Sequence, residues 1–102
     1  MRQFDIYANP NLPMRAAVPY VVVLSSHFLD DVTETIVAPL FVHRKTTMSG
    51  VEVRVLVAEM NLLLVLTGLA AVRTGSLKHR IGSLVSYEDD IRRALDRLFT
   101  GF

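Results

Sequence analysis

The sequence has no cysteine, which rules out disulfide staples and thiolate metal ligands and points to a reducing, cytoplasmic setting. Neither charge sign dominates, since 11 Lys and Arg against 10 Asp and Glu leave a formal net charge of +1. A chain so balanced does not hold nucleic acid or an anionic membrane by coating it with positive charge. Long apolar runs are missing too. The longest, residues 62–72, is broken by Thr67 and Gly68 and is too short to span a bilayer. The opening "MRQFDIYANPN" has no apolar stretch with a small-residue cleavage site behind it, so it does not read as a secretion signal. The sequence also lacks a glycine-rich phosphate cradle, zinc-finger spacing and an aromatic RNA-binding signature.

What is there is apolar. Of 102 residues, 51% are hydrophobic, a rich supply for a size at which a single core is just self-sufficient. Residues 1–102 therefore read as one domain, with some apolar surface left over for a second copy in a homodimer. Phe4, Ile6 and Ala8 alternate with Gln3, Asp5 and Tyr7, predicting a first strand closed by the turn formers Asn9-Pro10-Asn11 and Pro13. "YVVVL", residues 20–24, has no polar alternate and predicts a strand covered on both faces. "TIVAPLF", residues 35–41, reads as extended, with Pro39 restricting it to an edge or a bulge. In "VEVRVLV" the valines at 51, 53, 55 and 57 share one face, which predicts a half-buried antiparallel strand. Glu59-Met60-Asn61 would turn it directly into "LLLVL", residues 62–66. Residues 70–77 give a weaker strand signal, interrupted by Gly75.

The period then lengthens. Ile91, Ala94, Leu95, Leu98 and Phe99 fall on one helical face, predicting a C-terminal helix over about residues 87–99 with Leu98 and Phe99 in the core. Ser86 is placed as N-cap, with Asp89 three residues on. Gly101 stands where helices end in a left-handed residue, and Phe102 would pack back on Leu98 or Phe99. Five or more short strands and one helix make a mainly β protein, a small curled sheet or barrel against which the helix lies.

Several groups have the residue types of a site. "SSHFLDD" brings Ser25, Ser26, His27, Asp30 and Asp31 together, but without the strand-turn-helix elbow of a nucleophile, so it reads as a solvated loop. His27, His43 and His79 lack metal-ligand spacing, and Asp30, Asp31 and Glu34 lack a Gly-turned ligand loop, so no metal or other cofactor is expected. The basic clusters "HRK" (residues 43–45) and "KHR" (residues 78–80) are read first as solubilising loops, with a phosphate backbone or an acidic peptide as the alternative.

The order of "RQFDIYANPN", "PYVVVLSSHFLDDVTETIVAPL", the hairpin through "LTGLAAV" and "LVSYEDDIRRALDRLFTGF" resembles the CcdB family of toxins over nearly the whole chain. That resemblance implies an SH3-like antiparallel barrel with a small extra sheet and one C-terminal helix. It also implies a cytoplasmic homodimer, with no catalysis of its own, that binds the A subunit of DNA gyrase and traps it on cleaved DNA. A partly disordered cognate antitoxin would neutralise it and join it in repressing the operon, so DNA would be met only through gyrase or the antitoxin complex. The family's gyrase contacts, a Trp-Gly-Ile terminus in its best known form, fall on Thr100, Gly101 and Phe102. Gly101 matches and Phe102 stays apolar, while Thr100 replaces the large aromatic. Two alternatives stay open. One is an endoribonuclease toxin on the same barrel, as in the MazF and Kid group, with Arg15, His27 or His79 as base and acid. The other is a non-toxic regulatory scaffold.

Overall fold

A computed structural model describes residues 1–26, 33–42 and 51–101. Its strands are β1 (Asp5–Ala8), β2 (Tyr20–Val23), β3 (Glu34–Phe41), β4 (Glu52–Val57), β5 (Met60–Val65), β6 (Ala70–Arg73) and β7 (Arg80–Ser83), followed by helix α1 (Glu88–Thr100). The seven strands form one curled antiparallel sheet in the order β4-β5-β3-β2-β1-β7, with β6 added on β3. This is the mainly β architecture with a single C-terminal helix that the pattern predicts.

The valines of β4 are buried while Arg54 and Leu56 face outward, so its period of two holds. Its turn into β5 is tighter than expected. Val57 pairs with Met60, leaving Ala58 and Glu59 as a two-residue connection, with φ of 49° and 67°. Both residues take the left-handed conformation that matches the twist of a tight hairpin, although neither is the Asn or Gly that adopts it cheaply.

β3 corrects the reading of Pro39. The strand is not an edge: it pairs with β2 along residues 37–40 on one side, and with β6 (34–37) and then β5 (40–41) on the other. Proline is tolerated because it sits in the gap where β3 changes partners. The Leu24 N–H donates to the Ile36 carbonyl at 2.8 Å, so the alternation of an antiparallel ladder turns the nitrogen of residue 39 away from β2 and into that gap. Gly68, in the turn from β5 to β6, closes over it. A Cβ at Gly68 would stand 2.8 Å from Pro39 Cγ and 3.0 Å from Cδ.

Both faces of the β1–β2 pair are covered, as "YVVVL" foretells. Ile6 and Val22 join the main core with Leu40, Leu64 and Ile91. Tyr7, Val21 and Val23 form a second cluster with Val37 and Leu77. Each such side chain contributes about 1.5–3 kcal/mol on burial. The sequence gives no strand signal for β7, which pairs with β1 through a bulge: Ile6 faces Gly82 and Tyr7 faces Arg80, leaving Ile81 as the extra residue. Buried Asp5 accepts from the Arg2 backbone N–H at 2.9 Å and pairs with Arg80 Nε at 3.3 Å, which fastens β7 to the start of β1.

α1 buries Ile91 and Ala94 in the main core and packs Leu95 and Leu98 beside them. Two expectations fail here. A 3-10 turn over Val85–Tyr87 precedes the helix, so Tyr87 occupies the N-cap position and Ser86 caps nothing. Tyr87 serves the sheet instead, accepting the Leu56 N–H through its hydroxyl at 3.1 Å. Phe99 is 69% exposed rather than in the core. At about 100° per residue it falls roughly 80° from Ile91, on the margin of the buried stripe.

The Gly68 contact generates a test. Gly68→Ala must push against the Pro39 ring and should lower stability in chemical denaturation by about 1–3 kcal/mol. Gly75→Ala, with nothing within 4 Å of its added carbon, should stay within roughly 0.5 kcal/mol.

Candidate functional site

Two places gather the candidate residues. The first is the end of α1. Its first turn holds Glu88, Asp89 and Asp90 and its last turn Arg97, an order that favours the helix dipole. Gly101 has φ 80° and its N–H donates to the Arg97 carbonyl at 3.1 Å, so the left-handed cap expected from sequence is formed. The Thr100 hydroxyl donates to the Asp96 carbonyl, folding that side chain back on the helix. Phe102 lies outside the described residues.

The second place is a pocket of about 370 Å³ between the β1–β2 connection and the segment before β7, where Arg15, Lys78 and His79 meet. Asn9 braces the loop that carries Pro10, Leu12 and Arg15. Buried at 7% exposure, it donates from Nδ2 to the Val18 carbonyl at 2.8 Å and accepts the Asn11 N–H on Oδ1 at 2.9 Å. These bonds close the loop and form the Asx turn for which Asn is suited. The Asn9 carbonyl accepts Arg15 Nε at 2.6 Å, which leaves the two terminal guanidinium nitrogens uncommitted to any described residue. The opposite wall is held by Leu77, a plug in the second core cluster, and by the Ala8 N–H, which donates to the His79 carbonyl at 3.0 Å. Pro10 and Leu12 add apolar surface, and among the described residues no Asp or Glu lines the pocket.

The pocket alters the reading of the "KHR" cluster. Arg80 is engaged by Asp5, whereas Lys78 and His79 line a concavity. Arg15 and His79, nominated together from sequence, are brought to one site. His27, the third nominee, lies outside the described residues, as do Asp30, Asp31 and the "HRK" cluster at 43–45. Ser25 behaves as a loop residue, its hydroxyl accepting the Ile36 N–H at 2.6 Å. Among the described residues no three His, Asp or Glu side chains group as metal ligands would, and no helix is long and apolar enough to cross a membrane. Sequence reasoning missed the supporting role of Asn9 and the wall formed by Leu12. The Asn-Pro-Asn turn signal was the available clue to Asn9, and nothing local marks Leu12.

A small antiparallel sheet closed by a terminal helix is also the fold of solved toxin structures. Solved structures of this fold include the Mycobacterium tuberculosis toxin MazF-mt6, at 20% identity over 78% of this chain and 84% of that one, with a TM-score of 0.68. Another is an Mtb toxin at 21% identity, covering 93% and 99% of the two chains with a TM-score of 0.73. A third is an endoribonuclease in complex with its cognate antitoxin from a Mycobacterial species, at 10% identity over 94% and 91%, TM-score 0.72. A comparison with curated protein sequences finds no match. The model of the CcdB protein family matches residues 3–101, and the chain belongs to the CcdB family. It is thus a toxin of the toxin–antitoxin class.

These neighbours correct one expectation. The lack of catalysis implied by the family resemblance does not follow from the architecture, because endoribonucleases are built on the same fold.

The brace at Asn9 can be tested. Asn9→Ala removes the donor to Val18 and the acceptor for Asn11 and should cost about 1–3 kcal/mol in thermal or denaturant unfolding. Pro10→Ala, adjacent but outside those bonds, should cost less.

Proposed function

We propose that this toxin acts on the A subunit of DNA gyrase through the end of α1, trapping the enzyme on cleaved DNA. Membership of the CcdB family over residues 3–101 carries the reading. The left-handed Gly101 supports it: the cap fixes the direction in which the chain leaves the helix at Thr100 and Gly101, so this part of the tip has little conformational freedom to lose on binding. The functional unit is a homodimer in the cytoplasm. Exposed Leu56, Val85 and Phe99, at 55%, 59% and 69%, supply apolar surface beyond what a monomer needs. Two-fold symmetry then presents paired tips to a two-fold symmetric target. A cognate antitoxin, one of which accompanies an endoribonuclease of the same fold, neutralises the toxin and joins it in operon repression.

A second reading, RNA cleavage, is favoured by the meeting of Arg15 and His79 in one pocket that no acidic side chain lines among the described residues, on a fold whose solved examples include endoribonucleases.

Mixing the protein with purified gyrase and DNA should produce arrested cleavage complexes. Deleting Phe102 should raise the concentration needed by roughly thirty-fold or more, the size of an interface hot spot, with little change in melting temperature. Undiminished arrest after the deletion would remove the tip from the mechanism. For the second reading, bare RNA incubated without gyrase should be cut, and His79→Ala should lower the rate by roughly a hundred-fold or more, as for loss of a general acid or base. Intact RNA would exclude it.

A further inference from the structure

We propose that the pocket between the β1–β2 connection and β7 seats one phosphodiester of single-stranded RNA, with Arg15 and Lys78 on the phosphate and Leu12 against the base. The inference rests on the RNA reading and supplies its site. Arg15 is oriented for this task, since Nε is committed to the Asn9 carbonyl at 2.6 Å. Among the described residues no protein group takes its terminal nitrogens, the pair that binds phosphate in a fork. Lys78 is exposed and has no protein partner among those residues, so its ammonium is a mobile second charge on the same concavity. Among the described residues no carboxylate lines the pocket to neutralise these cations.

The apolar wall decides what the phosphate is attached to. Leu12 is 65% exposed and stands beside Pro10 on the rim, an apolar surface next to cationic groups. A free phosphate or a carboxylate would leave that surface wet, whereas a nucleotide covers it with the face of its base. The base must be unstacked to do so, which selects a single strand over a duplex. A volume of about 370 Å³ matches a nucleotide-sized group and is far too small to receive a double helix. The formal net charge of +1 points the same way, because duplex tracking draws on many phosphate contacts spread over a surface. The His79 imidazole, on the wall shared with Lys78, can bond a ribose 2′-hydroxyl, the group that separates RNA from DNA.

The experiment measures binding and cutting on the same samples, using the full chain and a fluorescein-labelled single-stranded RNA decamer. Binding by anisotropy should weaken roughly ten-fold with Lys78→Ala and with Arg15→Ala, and survive Lys78→Arg and Arg93→Ala. Since Arg15 also braces Asn9, the Lys78 pair keeps the test decisive if Arg15→Ala unfolds. A DNA decamer and a DNA duplex should bind more weakly than the RNA. Unchanged affinity in Lys78→Ala, or duplex binding as tight as RNA binding, would overturn the site. If RNA is cut by wild type and equally by both alanine variants, the site falls and the RNA reading stands. Pocket-dependent binding without cutting upholds the site and removes the cleavage reading, and no binding at all removes both.

Discussion

β3 is the strand on which the rest depends. An ordinary strand satisfies one neighbour on each side, but β3 satisfies β2 on one side and divides the other between β6 and β5. That division demands a place where no ladder bond is due, and Pro39 occupies it because proline has no N–H to leave unsatisfied. The turn between β5 and β6 must then cross the same place at close range, which only a residue without a side chain can do. Pro39 and Gly68 therefore form a single requirement: the ring fills the gap and the glycine permits the crossing. Curling of the sheet follows, since its two arms leave a common strand in different directions.

The two candidate sites relate differently to this framework. The tip of α1 is a local product, made by a helix that ends at a left-handed glycine. The pocket is a product of topology. β1 lies between β2 and β7, so the loop leaving β1 toward β2 and the segment arriving at β7 meet at the same end of the same strand. Arg15 and His79 come together for that reason alone. Asn9 and Leu77, both buried, convert the meeting into a fixed geometry, one through hydrogen bonds and one through packing.

This difference explains what was legible in the sequence. β4 announced itself because one face is core and the other water, so its valines alternate with Glu52 and Arg54. β2 was readable for the opposite reason, being buried on both faces. The Gly101 cap was legible because helix ends obey local rules. Ser86 misled because a 3-10 turn intervenes where the capping rule assumes none. β7 was silent: its residues are largely exposed, it contains Gly82, and its bulge destroys the period on which recognition depends. The pocket could be suspected only from residue types, since the pairing that assembles it is remote in sequence.

The bulge at Ile81 sets a phase. Beyond it every residue of the incoming segment is displaced by one position along β1, which is why the His79 carbonyl, and not that of Arg80, meets the Ala8 N–H. Were Ile81 paired like its neighbours, Arg80 would face Ala8, the Asp5 contact would be lost, and Lys78 and His79 would each move one step outward. The placement of the pocket's basic residues thus hangs on a counting irregularity in the neighbouring strand. An uninterrupted β7 would carry Lys78 and His79 out of register with the groove that they now line.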